Sequence, residues 1–394
     1  MNREKKINWL GNAIYFNLSK LLFKRDLSLW VYGSLGGQKY DDNSKYLFEY
    51  VNANHSKYVR SVWLAKNDIV VNDVRRKGGE AYTFNSPEGR RLAHKAGVAI
   101  FTHSLEDFGL FPHVGGAKLV FLGHGAVFKQ TCNAKRHGLS LLVKKVLDKP
   151  FSWIKRDITV STSDFNSREV QKVGGLDDKS KIVITGQPRN DLFKHFVKRN
   201  FYLEKLGVSE QKKIILYMPT YRMDAMGKYE MNDIIKNLYK SQALNKMLED
   251  QNYVFIAKPH PRTPKIELKE RDNFKILSYY DIESNQELMA IGDILVTDYS
   301  SCCIDFALLG RPIIFYRPDE EKFFKYSERV CEEYFGFSNK NSCRTLDDLA
   351  KLLKTPSLAS TIAINELYES PSIKGTCYSE NVYRAICMHI GIDS

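Results

Sequence analysis

The sequence predicts an α/β protein of two domains, each a parallel sheet covered on both faces by helices. At 394 residues the chain exceeds what one core ordinarily serves, so two domains of roughly 200 residues each are expected. Short apolar runs alternate with helical stretches of roughly 10 to 30 residues, the pattern of buried parallel strands. Five polar clusters each follow directly on an apolar run, and in open α/β sheets ligands bind outside the carboxyl ends of the strands.

In chain order, an amphipathic stretch over 7–25 carries Trp9, Leu10, Ile14, Phe16, Leu18, Leu21, Leu22 and Phe23. Strands are expected at 28–32, 59–64, 97–102, 118–122, 158–161 and 181–185. Asp41 to Ser44 precedes Tyr46, Leu47, Tyr50 and Val51, which are spaced as on a helix. A charged, helix-prone connector at about 192–213 marks the domain boundary, giving domains 1–195 and 212–394. The pattern then restarts, with strands at 214–218, 253–257, 274–277, 293–297 and 313–316 and a helical stretch up to about 250. The final segment, 357–394, carries the least information, and its helical end is free to pack back on the first domain.

The stretch 292–318 organises the second half. Ile294 to Val296 form a short apolar run, Thr297 to Ser301 are all hydrogen-bonding, and Ile304 to Leu309 carry a helical apolar face. Gly310 and Pro312 stop that helix. A strand running into Thr297, Asp298, Ser300 and Ser301 at a helix start offers hydroxyls and backbone N–H groups to a phosphate. Helix capping explains Asp298 and Ser300 equally well when this stretch is taken alone.

Composition narrows the classes. Hydrophobic residues make up 43% of the chain, with 22 each of Tyr and Phe, enough for packed cores. No run of 18 apolar residues occurs, and the N-terminus lacks the apolar core of a signal peptide, so a cytoplasmic location is expected. The seven cysteines show no C-x-x-C spacing, which argues against a disulfide framework and a structural zinc site. Neither a Walker P-loop nor G-x-G-x-x-G is present. Residues 1–200 hold 34 Lys and Arg against 18 Asp and Glu, a balance of +16, whereas the remainder holds 25 against 28, or −3. Eight basic residues between Lys129 and Arg156 interleave with apolar ones, the mixture of a segment lying on an anionic membrane. Segments 7–25 and 135–157 are therefore expected to contact a membrane, although each alone also reads as an ordinary amphipathic helix. No nucleic-acid module is recognisable, and no nucleic-acid partner is expected.

The clusters suit a diphosphate. Arg222 and Arg262 can pair with phosphate oxygens, Ser300 and Ser301 supply neutral donors, and Lys258 and His260 add charge. Arg189, in the cluster 186–191, and Asp298 join this set. Protein cations can neutralise a leaving group without a metal, and no carboxylate cluster for magnesium is evident, so neither metal nor cofactor is expected. His124, between Gly123 and Gly125 at a strand end, is the candidate general base, with an unperturbed imidazole pKa of about 6.5. Gly123 and Gly125 let backbone and substrate approach closely. His55, His94, His103, His113 and His137 lack such a context and read as structural or surface residues.

In this order the clusters resemble the CDP-glycerol glycerophosphotransferase family, the teichoic acid primases and polymerases and their relatives in capsule synthesis. The residues that carry the match are Gly123-His-Gly125 with Lys129, Gly186-Gln-Pro-Arg-Asn-Asp191, Pro219-Thr-Tyr-Arg222, Lys258-Pro-His-Pro261 and Val296-Thr-Asp-Tyr-Ser-Ser301, with Trp30, Gln38 and Asp42 earlier. Ala126, Val127 and Phe128 depart from the family's usual Thr/Ile-Pro-Leu. The resemblance implies a GT-B-like fold of two facing Rossmann-like domains with a cleft between them. It implies CDP-glycerol or CDP-ribitol as donor, a lipid-linked or polymer acceptor, CMP as product, and a peripheral position on the cytoplasmic face of a bacterial membrane. His124 and His260 match the family's histidines, Thr297, Ser300 and Ser301 its phosphate contacts, and the resemblance implies that Gly123, Gly125 and Lys129 form the acceptor side. The rival expectations are a GT-B glycosyltransferase using a nucleotide sugar, and a non-catalytic basic membrane or nucleic-acid binding protein.

Overall fold

The computed structural model describes residues 14–110, 113–127, 129–130, 154–174, 182–195, 198–222, 230–269, 271–278, 281–282, 284–326 and 329–392. They form two compact units: 14–124, 154–191 and 370–392 in the first, 125–130 and 192–369 in the second.

The first unit is built on β1 (Asp26–Tyr32), β2 (Arg60–Ala65), β3 (Glu80–Thr83), β4 (Ala96–Phe101) and β5 (Lys118–Phe121). The short β6 (Lys129–Gln130) lies in the second unit, and the first sheet resumes with β7 (Ile158–Ser161) and β8 (Ile182–Ile184). All seven first-unit strands are parallel, in the order β3-β2-β1-β4-β5-β7-β8. Successive strand residues point to opposite faces, so Trp30, Tyr32, Trp63 and Ala65 enter one buried cluster while Leu29, Val31, Val62 and Leu64 enter another. A core on each face is what these nearly unbroken apolar runs require.

The second unit repeats the plan with β9 (Lys213–Tyr217), β10 (Tyr253–Ala257), β11 (Phe274–Ile276), β12 (Ile294–Thr297) and β13 (Ile313–Tyr316). β14 (Arg329–Val330) pairs antiparallel with β6, and β15 (Ser342–Cys343) closes the sheet. Its order is β11-β10-β9-β12-β13-β15, again parallel. In both units the strand order reverses beside the first strand, between β1 and β4 and between β9 and β12. That reversal opens a crevice at the carboxyl edge where doubly wound folds bind ligands.

Each of the eleven expected strands has a counterpart within two residues. The strands that were not expected are β3, in which Ala81 alone is fully buried, and three two-residue strands; none carries an apolar run. Two boundaries differ from the expected 1–195 and 212–394: residues 125–130 cluster with the second unit, and the other difference is at the C-terminal end. The sequence places 212–394 in a single second domain, but 370–392 clusters with the first unit. The reason is burial: the helix Tyr378–Ile390 puts Val382, Tyr383, Ile386 and Cys387 into the core that holds Trp30 and Trp63. Tyr383 stacks on His55 at 3.6 Å between ring centroids. Asp191 accepts the backbone N–H groups of Tyr378 (2.8 Å) and Ser379 (2.7 Å), capping the start of this helix from a remote turn.

Of the two segments expected at a membrane, residues 135–153 and His137 with them lie outside the described residues. From the other, residues 14–22 form a helix. No helix among the described residues is long and apolar enough to cross a membrane.

Candidate active site

At the carboxyl edge of the first sheet, β5 runs into Leu122 and then Gly123, His124 and Gly125. Gly123 has φ 68° and Gly125 φ 146°, backbone angles that L side chains rarely adopt, and the two glycines turn the His124 ring outward so that it is exposed. The turn is held from behind. Asn43 Nδ2 donates to the Gly123 carbonyl at 2.8 Å, and Arg189 Nη1 donates to the His124 carbonyl at 2.9 Å. Arg189 also pairs with Asp42 at 2.9 Å, and its backbone N–H donates to Asn43 Oδ1 at 3.1 Å. Asp42 has φ 64°, a strained angle for a residue with a side chain.

Surrounding protein, then the neighbouring His103, holds the His124 pKa below the ordinary value; Asp42 opposes this and Arg189 adds to it. Solvent reaches the exposed ring and tempers the desolvation, so the direction, toward a neutral imidazole at neutral pH, is what matters. A neutral imidazole can accept a proton.

The second unit has its own carboxyl edge, and part of the expected phosphate cradle is not available there. Arg222 is buried. Its Nε donates to Asp319 at 2.7 Å, Nη2 reaches Asp319 at 3.0 Å and Asp298 at 2.8 Å, and Nη1 donates to the Thr220 carbonyl at 2.7 Å. Burial alone would lower its pKa, but Asp298 and Asp319 outweigh burial and raise it. Asp298 is fully buried and accepts the Thr220 N–H at 2.8 Å, while its carbonyl accepts the Tyr334 hydroxyl at 2.9 Å. Thr297, also fully buried, donates Oγ1 to the Met218 carbonyl at 2.7 Å. These three residues, expected to contact the donor, instead tie the β9 and β12 ends together. The Arg189 side chain is likewise engaged: it is 9% exposed and bonds to the His124 turn.

What remains open to a ligand is a shorter set. Ser300 and Ser301 are half-buried where β12 gives way to the helix Cys302–Ala307, and Ser301 makes no side-chain cap. After β10, Lys258 reaches Asn285 at 2.7 Å, and His260 and Arg262 are exposed. The Arg262 backbone N–H donates to His260 Nδ1 at 3.1 Å, which leaves the neutral ring with Nε2–H as a donor. Burial, then Arg262 and Lys129, hold the His260 pKa below its ordinary value. Lys129, expected on the acceptor side, thus lies in the second unit and acts on His260. Beside His260 lies a pocket of about 460 Å³ with an apolar lining that includes Tyr239, Pro261, Ile266, Phe274 and Leu277.

Asp42, Asn43 and His103 are the residues near His124 to which the sequence reading gave no site role; it reads His103 as structural or surface. The signal was present for His103, which follows β4 directly, as the five clusters follow their strands. For Asp42 and Asn43 the signal was only their place in the stretch that resembles the family, with no role attached, because they reach the β5 turn through the packing of the helix Asp42–Asn54.

Two doubly wound parallel sheets with polar groups gathered at their carboxyl edges define a GT-B-like α/β protein. The chain belongs to the CDP-glycerol:poly(glycerophosphate) glycerophosphotransferase family, which it matches over residues 14–366. It is 27% identical over 320 residues to a teichoic acid poly(glycerol phosphate) polymerase of Staphylococcus epidermidis, covering 75% of this chain and 41% of that protein. It is 32% identical over 221 residues to a teichoic acid poly(ribitol-phosphate) polymerase of Bacillus spizizenii, covering 52% of this chain and 33% of that protein. The chain thus spans less than half the length of these relatives. Its fold matches the structure of the wall teichoic acid polymerase TagF with a TM-score of 0.75 at 23% identity, over 98% of this chain and 97% of that one.

Proposed function

We propose that the protein transfers glycerol phosphate or ribitol phosphate from the CDP-alcohol to a hydroxyl of a lipid-linked or polymer acceptor, releasing CMP, in teichoic acid-like or capsule polymer synthesis. The observation that carries this reading is His124: a neutral, solvent-exposed imidazole, braced from behind by Asn43 and Arg189, in a chain of this family. The acceptor oxygen forms a bond to the phosphorus that bears the alcohol, the bond from that phosphorus to the CMP oxygen breaks, and His124 takes the hydroxyl proton. Phosphoryl transfer leaves the protein mainly positioning and charge stabilisation. His260 donates from Nε2 to a phosphate oxygen, and Lys258, Arg262, Lys129, Ser300 and Ser301 supply the remaining charge and hydrogen bonds. The pocket beside His260 seats the cytidine, since ligand sites of this kind combine apolar walls with a few polar groups.

The reading is tested by measuring CMP release from CDP-glycerol and from CDP-ribitol, each with a crude bacterial membrane fraction as acceptor. Acceptor-dependent release from one of them, with a new phosphodiester in the product, is expected. Silence with both donors, together with turnover of a nucleotide sugar, would move the protein to the glycosyltransferases.

The protein works at the cytoplasmic face of the membrane in this reading. Support comes from the helix 14–22, which buries Phe16 and Ser19 against the first unit yet leaves Leu21 at 85% and Leu22 at 65% exposure, with Ile14 and Leu18 beside them. Exposed leucines on one helix face, flanked by Lys20 and Lys24, suit an anionic lipid surface. Changing Leu18, Leu21 and Leu22 together to Ser is expected to weaken co-sedimentation with anionic vesicles by at least about tenfold. Unchanged binding would take the helix out of this role.

A further inference from the structure

The His103 ring lies parallel to that of His124, with centroids 4.5 Å apart and planes within 12°. His103 is itself tethered at several points. Its Nδ1 lies 2.8 Å from Thr102 Oγ1, which lies 3.0 Å from Ser34 Oγ, so a line of hydroxyls leads from the end of β1 to the imidazole. Its backbone N–H and that of Thr102 both donate to Asp107 Oδ2, at 2.9 and 3.0 Å, and Asp107 is fully buried. The other Asp107 oxygen accepts the Gly36 N–H at 2.7 Å. At the β1/β4 reversal these hydrogen bonds form a frame that tethers the His103 imidazole.

We infer that His103 is a positioning residue for His124, its ring fixing the plane of the His124 imidazole at the end of β5. This rests on His124 acting as the base in the reading above. Two parallel imidazoles at this spacing cannot both carry a proton without repulsion, so His103 also favours the neutral form of its neighbour. The other charged groups that act on His124 are Asp42, from the start of the helix Asp42–Asn54, and Arg189, from the turn after β8; they act in opposite directions.

The test uses the full chain with isotope-labelled histidine. The imidazole signal of His124, assigned by its loss in His124→Ala, is titrated in the wild type, His103→Ala and His103→Phe, alongside acceptor-dependent CMP release. Both variants lack the repelling charge, so the His124 midpoint is expected to rise by about half to one pH unit in each. His103→Ala is expected to lower kcat about tenfold with little change in KM, because the ring loses its support. His103→Phe keeps a flat ring and is expected to stay within about threefold of wild type. An unchanged His124 midpoint in both variants, or a phenylalanine variant no better than alanine, overturns the inference. Should the wild type release no CMP, the proposed reaction fails, and the titration arm still decides whether His103 sets the state of His124.

Discussion

His124→Ala is expected to lower acceptor-dependent CMP release by at least about a hundredfold, or about 2.7 kcal/mol of transition-state stabilisation, while nucleotide binding is retained. The split is expected because His124 lies in the first unit, at the end of β5, and the pocket and cations assigned to the nucleotide are in the second. The pH profile adds a second readout. A base works only in its deprotonated form, and His124 is held below the ordinary histidine value. The acid limb of kcat/KM is therefore expected below pH 6.5 in the wild type. Deprotonation comes at the cost of basicity, so a group of lower pKa accepts the proton less readily but remains available over a wider pH range. Near-normal turnover by His124→Ala would remove His124 from the base role.

The second large effect concerns stability. Arg222→Ala leaves the carboxylates of Asp298 and Asp319 buried without their cation, and the loss of one partner from such a cluster typically costs about 3–5 kcal/mol. Denaturant unfolding of the full chain, monitored on the second unit, is expected to show that loss. Asp298 keeps two backbone N–H donors in the variant, from Thr220 and Tyr299, which places the expected value at the lower end. Affinity for CDP, measured in the fraction that remains folded, is expected to stay within about threefold of wild type, because the guanidinium is already committed to its carboxylates. Full stability with CDP affinity lost would instead return Arg222 to the phosphate. Replacing Arg222 with Met and both Asp298 and Asp319 with Asn in one chain is expected to recover much of the loss, since no unpaired charge is then buried.

Arg222 also shows where strand-end motifs mislead. An arginine just beyond an apolar strand reads as a phosphate ligand, yet Asp298 and Asp319 are 76 and 97 residues further along the chain, and nothing local announces that they will meet it. Asp298 and Thr297 have partners that are equally remote in sequence: Thr220 and Met218 lie on a neighbouring strand end. Arg189, expected at the donor, bonds to the His124 carbonyl and to Asp42. Among the expected phosphate ligands, His260 and Arg262 are exposed and Lys258, Ser300 and Ser301 half-buried.

The sequence by itself determined the two parallel sheets, because an apolar run of four to seven residues flanked by helical stretches has few other ways to bury itself. It determined that the polar clusters would gather at the carboxyl edges, since the chain enters each strand from the same end. It also placed His124 between two glycines, whose freedom at positive φ makes the outward turn possible. Only the tertiary structure decided which polar side chains serve a ligand and which serve the fold. That choice depends on what each cation or carboxylate meets across strands, as Arg222 meets Asp319 and Arg189 meets Asp42. It decided that the last helix completes the first unit, because Val382, Tyr383 and Ile386 find their apolar partners around Trp30 and not in the domain that precedes them. And it set His103 face to face with His124, a pairing of two strand ends that neighbouring strands bring together and sequence spacing does not encode.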